Sequence, residues 1–374
     1  MHKILFLFGT RPEAIKLCPV IRGLRAQPGR FNVRVCVTAQ HREMLDQVLT
    51  AFDVHPDYDL DLMLPGQTLF QSTSRILSGL EPVLDAERPH MALVQGDTTT
   101  TFCGALAAFY KQIPVGHVEA GLRTGDILQP FPEEMNRALT GRLASLHFAA
   151  TEGAAENLGR EGVDPRRIGV TGNTGIDALL YVRDGLESGR LPRSEWAGLD
   201  TRRKLIVVTA HRRESFGPGF ERICAALSEL ANREDVLILY PVHPNPNVAE
   251  PVRKYLSGRP NILLPAPLDY VPFVDAMRRA HFVITDSGGV QEEGPSLGKP
   301  ILVMRDKTER PEAVAAGTVK LVGTDPERIV REASRLLDDP SEYERMSRVH
   351  NPYGDGAASE RIARLIDSFL TEES

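Results

Sequence analysis

Short apolar runs rich in β-branched residues alternate along this chain with longer amphipathic segments. The alternation predicts an α/β fold, because the strands of a parallel sheet are covered on both faces while the connecting helices are apolar on one side only. In the first half, the predicted strands are Ile4 to Phe8, Val33 to Val37, Met91 to Gln95, Ile113 to Val118 and Leu146 to Ala150. The predicted helices between them include Pro12 to Gln27, His41 to Phe52 and Thr98 to Tyr110.

A polar segment from Glu187 to Arg203 interrupts this pattern and contains Pro192 and the single tryptophan, Trp196. The alternation then restarts, with predicted strands at Leu205 to Ala210, Val236 to Val242, Asn261 to Leu264, Phe282 to Thr285, Pro300 to Met304 and Val319 to Val322. We therefore predict two doubly wound domains, residues 1–190 and 200–356. An amphipathic helix over 357–370 is predicted to join the first domain.

Composition narrows the classes of function. The 374 residues carry a net charge of -6, which gives no field that would hold a polyanion, so nucleic acid is not an expected partner. The four cysteines lie far apart in apolar runs, as buried free thiols do, and no close ligand spacing predicts a metal site. Neither a signal peptide nor a membrane-spanning stretch is indicated, which predicts a cytoplasmic protein without a membrane partner.

Ligands of open parallel sheets bind beyond the carboxyl ends of the strands, so the polar residues at these places are the candidate binding residues. The first predicted strand leads into Gly9-Thr10-Arg11-Pro12-Glu13. Here Arg11 would meet phosphate oxygens at a helix start, with Lys16 one helical turn further on. The simpler alternative is a helix start with a solvated arginine and lysine.

Three acidic residues follow neighbouring predicted strands on one side of the first sheet. Asp97 comes after the third strand, Glu119 ends the next one, and Glu133 lies in the loop after that. Carboxylates gathered in this way repel one another and are suited to moving a proton at a carbon atom near neutral pH. Alternatively, Asp97 could be a capping residue, and Glu133 and Glu134 could stabilise the first turn of a helix beside Arg137.

The second domain repeats this layout. His211 and His243 follow its first two strands, where imidazoles can donate to phosphate or transfer a proton. The segment Thr285 to Glu293 offers the Ser287 hydroxyl and two glycines at a helix start, which favours a diphosphate site, with Glu293 placed for a ribose. A plain Gly-Gly helix cap is the alternative. The charged residues of 304–312 are expected to hold loop geometry rather than to react.

The chain contains an ordered series of motifs: FGTRPEAIK from Phe8, QGDTTT from Gln95, HVEAGLRT from His117, PEEMNR from Pro132, TAHRRESFG from Thr209, PVHPNP from Pro241, and TDSGGVQEE with PSLGKPILVMRDKTERPEA. Over nearly its whole length it resembles the non-hydrolysing UDP-N-acetylglucosamine 2-epimerases. The resemblance implies a glycosyltransferase-B-type fold, two Rossmann-like domains facing a central cleft, and a homodimer. It also implies interconversion of UDP-GlcNAc and UDP-ManNAc for bacterial surface polysaccharides, by elimination of UDP to 2-acetamidoglucal and re-addition.

The resemblance assigns roles to matching positions. It implies catalytic roles for Asp97, Glu119, Glu133 and His211, and substrate binding by Arg11, Lys16, Arg137, His243, Ser287, Gly288, Gly289 and Glu293. Residues matching a second, activating UDP-GlcNAc site in many members are Gln40, His41, Gln67, Glu134 and Arg212, although Glu43 and Gly66 depart from the residues that some members carry. No cofactor is implied, and Gly9-Thr10-Arg11 is not a dinucleotide fingerprint.

Two other activities fit the same motifs. One is epimerisation of a modified UDP-2-acetamido sugar, since relatives acting on such sugars share many of these motifs. The other is sugar transfer from UDP to an acceptor, because fold alone does not fix function. Which carboxylate acts on which face of the sugar stays open.

Overall fold

The computed structural model describes residues 1–38, 42–64, 66–196, 200, 202–308, 310–348 and 351–372. By its internal packing the chain forms two compact units. The N-terminal unit comprises Met1–Tyr181 and Tyr353–Ser374, and the C-terminal unit comprises Val182–Pro352. The chain thus passes between units ahead of the predicted stretch 187–203, and it returns a few residues before the predicted C-terminal helix.

The N-terminal unit is built on a parallel sheet, which has seven strands in the described part of the chain. These are β1 (His2–Phe8), β2 (Phe31–Val37), β3 (Tyr58–Asp59), β4 (Met91–Gln95), β5 (Val115–Ala120), β6 (Leu146–Ala149) and β7 (Ile168–Val170). The accompanying helices are α1 (Arg11–Arg25), α2 (Arg42–Ala51), α3 (Leu69–Glu87), α4 (Thr99–Tyr110), α5 (Glu133–Leu143) and α6 (Glu152–Arg160), and the chain passes into the C-terminal unit within α7 (Thr174–Glu187). The strand order is β3-β2-β1-β4-β5-β6-β7.

The C-terminal unit repeats the design with a parallel sheet of order β10-β9-β8-β11-β12-β13. Its strands are β8 (Lys204–Thr209), β9 (Val236–Leu239), β10 (Ile262–Leu263), β11 (Phe282–Thr285), β12 (Ile301–Val303) and β13 (Val319–Leu321). Its helices are α8 (Pro218–Leu230), α9 (Pro246–Leu256), α10 (Tyr270–Arg279), α11 (Gly288–Glu293), α12 (Pro311–Ala316), α13 (Pro326–Asp338) and α14 (Pro340–Ser347). Short 3-10 turns cover Pro165–Arg167, Arg213–Ser215 and Gly294–Leu297.

The last helix, α15 (Ala358–Glu372), packs against α1 in the N-terminal unit. Its start is held by the buried carboxylate of Asp177, which accepts hydrogen bonds from the backbone N–H of Ala358 at 3.3 Å and of Ser359 at 2.8 Å. The two amides would otherwise lack an acceptor at a helix start. The C-terminal helix therefore belongs to the same packed body as the first sheet.

The predicted α/β architecture with parallel strands is confirmed, and each predicted strand corresponds to an observed one. The central strands could be predicted because they are buried on both faces and therefore form continuous apolar runs; β4, for example, is buried over its full length. Strands β3 and β7 were not predicted, because they are short edge strands with partly exposed residues and lack a continuous apolar run. No helix in the described ranges is both long enough and apolar enough to cross a bilayer.

All four cysteines are buried free thiols, as predicted. Burial raises the pKa of Cys18, Cys36 and Cys224 to about 12 and that of Cys103 to about 11. They therefore pack as small apolar residues and are not reactive thiolates.

Candidate active site

A cavity of about 530 Å³ opens in the N-terminal unit beyond the carboxyl ends of β1, β4 and β5. Because β1 and β4 are neighbours although β2 follows β1 in the chain, the sheet changes winding direction between them, which is where ligands bind in open α/β sheets. The cavity is lined by Thr10, Pro12, Glu13, Lys16, Leu69, Gln95, Gly96, Asp97, Thr98, Thr99, Glu119, Leu122, Pro132, Glu133, Asn136 and Arg137.

The three predicted acidic residues all line this one cavity. Asp97 lies in the turn after β4, and its carboxylate, which is 32% exposed, contacts the Arg137 guanidinium. The same turn is fastened by Asn136, whose side-chain amide donates to the Asp97 carbonyl oxygen at 2.9 Å. Consecutive residues of α5 therefore hold both the backbone and the side chain of Asp97.

Glu119 occupies a strained position in β5. Its backbone φ is +63°, a left-handed conformation that costs a non-glycine residue roughly 1–2 kcal/mol, and the register of β5 against β6 shifts here as in a β-bulge. The carboxylate contacts both the Lys16 ammonium and the Gln95 side-chain amide. The bulge turns the Glu119 side chain towards these partners at the end of the strand.

Glu133 is the first residue of α5, where the helix dipole favours a negative charge. Among the described residues it has no hydrogen bond or ion pair, unlike Asp97 and Glu119. The three predicted acids thus line one cavity, and two of them are paired with cations: Asp97 with Arg137, and Glu119 with Lys16. Arg11 is half-buried at the start of α1, next to the lining residues rather than among them.

Two buried histidines lie side by side in the sheet, and one of them, His117, contacts the Gly96 turn of this site. His117 on β5 is in register with His147 on β6, and both are buried. Desolvation lowers the pKa of each to about 4, opposed at His117 by the Gly96 carbonyl and reinforced at His147 by the neighbouring His117. His117 is therefore neutral near pH 7, and its Nε2 lies 2.7 Å from the Gly96 carbonyl oxygen, which accepts its proton in a hydrogen bond.

The folded protein should lose stability as the pH falls from about 6.5 to about 4. In this window the unfolded chain binds protons that the two buried imidazoles exclude, so their contribution is complete above about pH 6.5 and is lost as the pH falls through their folded pKa of about 4. The loss is on the order of a few kcal/mol. Urea unfolding of the wild type and of His147→Gln at about pH 7 and about pH 5 measures it; an equal pH dependence in both proteins would contradict the prediction.

The C-terminal unit gathers its polar residues at the equivalent reversal of strand order, between β8 and β11. The fully buried Asp286, after β11, accepts hydrogen bonds from the backbone N–H of His211 at 2.6 Å and of Arg212 at 2.7 Å. The His211 ring stacks on His243 at 5.6 Å between centroids, and its Nδ1 lies 3.7 Å from Asp286 Oδ1. Burial lowers the pKa of His211, an effect that Asp286 opposes and that His243 and Arg212 reinforce.

Ser287 precedes α11, and two cations surround the glycine that follows it. A Cβ atom on Gly288 would lie 3.5 Å from the Arg310 guanidinium carbon and 3.9 Å from Arg212 Nη2. At Gly289 the nearest such atom is Ser287 Oγ at 4.0 Å, so this backbone stays open to approach. The start of α11 therefore combines accessible main chain with positive charge.

Glu293 is the last residue of α11 and is half-buried. It lies near the buried Tyr270. Burial raises the pKa of Tyr270 well above the usual value, and the negative charge of Glu293 adds to this rise. Glu292 points elsewhere and binds Arg310, with Nε to Oε1 at 2.5 Å. The predicted ribose position is thus near a phenol, that of Tyr270, which was not among the predicted site residues.

The residues predicted for the activator site are not all described, and those that are described lie in both units. Gln40 and His41 lie outside the described residues. Gln67 donates from its side chain to the Leu62 carbonyl oxygen at 3.1 Å, and Glu134 accepts from the Thr124 backbone N–H at 2.9 Å. Arg212 lies in the C-terminal unit beside Gly288. Glu134 also pairs with Arg137 at 3.1 Å, so it has a structural contact of its own.

Several residues around both sites were not predicted from the sequence to be site residues. They are Glu13, Gln95, His117 and Asn136 in the N-terminal unit, and Tyr270, Asp286 and Arg310 in the C-terminal unit. All but Tyr270 lie within the quoted motifs, so the motifs carried the signal. Charged residues at strand ends were the predicted ones, whereas neutral donors and buried carboxylates were not, and Arg310 was expected only to hold loop geometry.

Two doubly wound parallel sheets, each with its polar residues at the reversal of strand order, place the chain among α/β enzymes with a glycosyltransferase-B-like fold. The sequence profile of the UDP-N-acetylglucosamine 2-epimerase family matches residues 22–367. The chain belongs to this family and is an isomerase that epimerises UDP-N-acetylglucosamine at C2.

Individual relatives agree with the family match. The chain is 60% identical over 369 residues to the UDP-N-acetylglucosamine 2-epimerase of Escherichia coli K12, covering 97% of this chain and 98% of that one. It is similar to the crystal structure of a UDP-N-acetylglucosamine 2-epimerase from Listeria monocytogenes, with 47% identity, a TM-score of 0.92, and 99% and 97% of the two chains covered. The enzyme from Neisseria meningitidis, solved bound to UDP-GlcNAc, gives 48% identity, a TM-score of 0.88 and coverages of 97% and 99%.

Proposed function

We propose that this enzyme interconverts UDP-GlcNAc and UDP-ManNAc by eliminating UDP and adding it back. The observation that supports this most directly is the single cavity lined by Asp97, Glu119 and Glu133 together with Lys16 and Arg137. The C2 proton of a 2-acetamido sugar is not acidic, so removing it requires a positioned base and the concerted or prior departure of a leaving group. Three carboxylates in one cavity can supply a base on one face and an acid on the other.

In the proposed reaction, the C1–O bond breaks with its electron pair leaving on UDP, and a carboxylate takes the C2 proton. The double bond between C1 and C2 gives 2-acetamidoglucal. A proton then returns to C2 from the opposite face, and a phosphate oxygen of UDP attacks C1, so that atoms and charges balance over the cycle. We propose that Asp97, Glu119 and Glu133 share the acid and base roles.

The leaving UDP needs cations and hydrogen-bond donors, because negative charge develops on its terminal phosphate. We propose that Ser287, Gly288 and Gly289 bind the diphosphate, and that His211, stacked on His243, donates to the departing phosphate. The nearby Arg310 and Arg212 guanidiniums support this assignment, since both lie within contact distance of the Gly288 position. On the family resemblance, we also assign Arg11 to substrate binding. The Neisseria relative, solved with UDP-GlcNAc bound, is consistent with the same ligand class here.

Glu293→Ala should weaken nucleotide binding, because we propose that Glu293 accepts hydrogen bonds from the ribose hydroxyls. Loss of hydrogen bonds to a charged group is worth about 1.5–3 kcal/mol, which corresponds to roughly a ten- to hundredfold rise in the Kd for UDP. Calorimetry with UDP measures the change. Glu327→Ala, in the first turn of α13, is a surface control expected to leave the Kd unaltered; an unchanged Kd in Glu293→Ala would refute the ribose role.

The reaction itself is tested by incubating the enzyme with UDP-GlcNAc alone in D2O and recording NMR spectra. The expected result is UDP-ManNAc, with deuterium at C2 of both sugars. Absence of exchange at C2 would contradict the elimination route. Release of free ManNAc and UDP would instead indicate hydrolysis, and donor consumption only in the presence of an acceptor would indicate sugar transfer.

We further propose that the enzyme acts as a homodimer and that its product supplies ManNAc for bacterial surface polysaccharides. The dimer is supported by α4, which is apolar on nearly all sides and exposes Phe109 at 56% and Tyr110 at 68%. A helix with apolar residues on all sides is normally buried, so these two rings favour a second copy of the chain as a partner. Binding of a second UDP-GlcNAc as an activator is also proposed, on the family resemblance alone.

A further inference from the structure

Glu13, in the first turn of α1, is 1% exposed, an unusual position for a carboxylate. Its Oε2 accepts hydrogen bonds from the backbone N–H of Gly9 at 3.1 Å and of Thr10 at 2.8 Å, which completes a capping box with the Thr10 hydroxyl. Capping boxes form equally well at the surface and with glutamine. The cap therefore explains one oxygen of Glu13 but not its burial.

The second oxygen reaches a different element. Glu13 Oε1 lies 2.8 Å from Thr98 Oγ1 and 3.1 Å from Thr101 Oγ1, at the start of α4. Burial raises the pKa of Glu13, and hydrogen bonds from Thr10, Thr98 and the Gly9 amide oppose the rise. One buried side chain thus ties the β1–α1 loop to the β4–α4 loop, at the reversal of strand order.

The contact points flank Asp97. Thr98 follows it directly and caps α4, accepting from the Thr101 backbone N–H at 3.1 Å. Thr101 Oγ1 lies 2.5 Å from the Gln95 carbonyl oxygen, which precedes the turn. The packing around this link is tight, since a Cβ on Gly9 would lie only 2.7 Å from Thr100 Oγ1, in the first turn of α4. The start of α4, which follows the Asp97 turn directly, therefore packs closely against the β1–α1 loop.

We propose that Glu13 is a positioning residue for epimerisation, which holds the Asp97 turn against the helix that carries Lys16. Although Glu13 lies at the cavity wall, protein groups already occupy both of its carboxylate oxygens, so it acts through these groups rather than on the sugar. The assignment rests on the proposed acid–base role of Asp97. A base displaced by about 1 Å can lose about a hundredfold in rate, so loosening this link should affect chemistry more than binding.

Glu13→Ala should lower kcat by about ten- to a hundredfold, while KM for UDP-GlcNAc changes less than about threefold. Glu13→Gln should recover most of the lost rate, because its amide oxygen can accept from Gly9 and Thr10 while its NH2 group donates to the threonine hydroxyls. Asp177→Ala is the matched control. It also removes a buried carboxylate that accepts two backbone N–H groups, and it should lower the thermal midpoint while leaving kcat within about twofold.

A double-mutant cycle with Asp97→Asn decides whether Glu13 acts through Asp97. In the Asp97→Asn background, Glu13→Ala should cause no further fall in kcat, whereas independent losses would multiply and overturn the inference. Normal kcat in Glu13→Ala, beside an impaired Asp97→Asn, would overturn it as well. Near-normal turnover of Asp97→Asn alone would instead contradict the proposed acid–base role.

If Glu13→Ala does not fold, Thr101→Val provides the same test from the other side of the link. Thr101 is fully buried, and valine keeps its shape while removing the hydroxyl next to Glu13. The same pattern of lowered kcat and nearly constant KM is expected. A normal kcat in Thr101→Val would count against the proposal.

Discussion

Asp97→Asn should lose most turnover while keeping its affinity for UDP. Asparagine preserves the shape of the side chain and its hydrogen-bonding reach, but it cannot exchange a proton with C2, so kcat should fall by roughly 10²- to 10⁴-fold. The backbone of the turn should stay in place, because Asn136 binds the Asp97 carbonyl oxygen rather than its carboxylate. UDP affinity should stay within about threefold, since the nucleotide contacts we propose lie mainly in the other unit.

The measurement combines UDP-ManNAc formation by NMR with UDP calorimetry. Asp367→Asn is a suitable control, because Asp367 also pairs with an arginine, Arg30 at 2.5 Å, but on the outer helix α15. This control should retain full activity. If Asp97→Asn turned over at near-normal rates, Asp97 would have to be removed from the acid–base set.

Glu119→Gln is expected to cause the second large loss. The carboxylate is held by Lys16 and Gln95 at the bulge in β5, so it is fixed in direction and cannot be replaced by a neighbouring acid. A glutamine there would still reach Gln95, but it could not take up a proton, and kcat should fall by roughly 10²- to 10⁴-fold. Unfolding free energy should change by less than about 1–2 kcal/mol, because the shape and the backbone strain are retained.

Deuterium exchange at C2 and urea unfolding together test Glu119. Glu81→Gln serves as a control, since Glu81 also pairs with a lysine, Lys111 at 3.3 Å, on an exposed face of α3. That variant should exchange deuterium at the wild-type rate. Exchange at the wild-type rate in Glu119→Gln would show that Asp97 and Glu133 suffice.

The sequence was most informative where a residue acts through its position along its own strand or helix. Asp97, Glu119 and Glu133 could be placed together because the carboxyl ends of parallel strands meet at one edge. The partners could not be placed in the same way. Pairing Glu119 with Lys16, or Asp286 with the His211 backbone, depends on which strands are neighbours and on the exact path of loops, and neither is encoded in local periodicity.

In the loop 304–312, the sequence could not distinguish a structural arginine from one at the proposed ligand site. Its charges were expected only to hold loop geometry, and Arg305 does bind Glu214, with Nε to Oε1 at 2.5 Å. Arg310, however, lies beside Gly288 at the proposed diphosphate position. Hydropathy patterns cannot separate these two arginines, because both follow one strand and differ only in the direction in which the loop presents them.

The left-handed backbone at Glu119 has a further implication for engineering. Glycine, asparagine and aspartate adopt this conformation more readily than glutamate does, so selection for folding alone should drive position 119 towards those residues. Selection for catalysis should drive it back. A library screened only for thermal tolerance would therefore accumulate well-folded, inactive proteins changed at this one site, and position 119 should be kept fixed when the enzyme is stabilised.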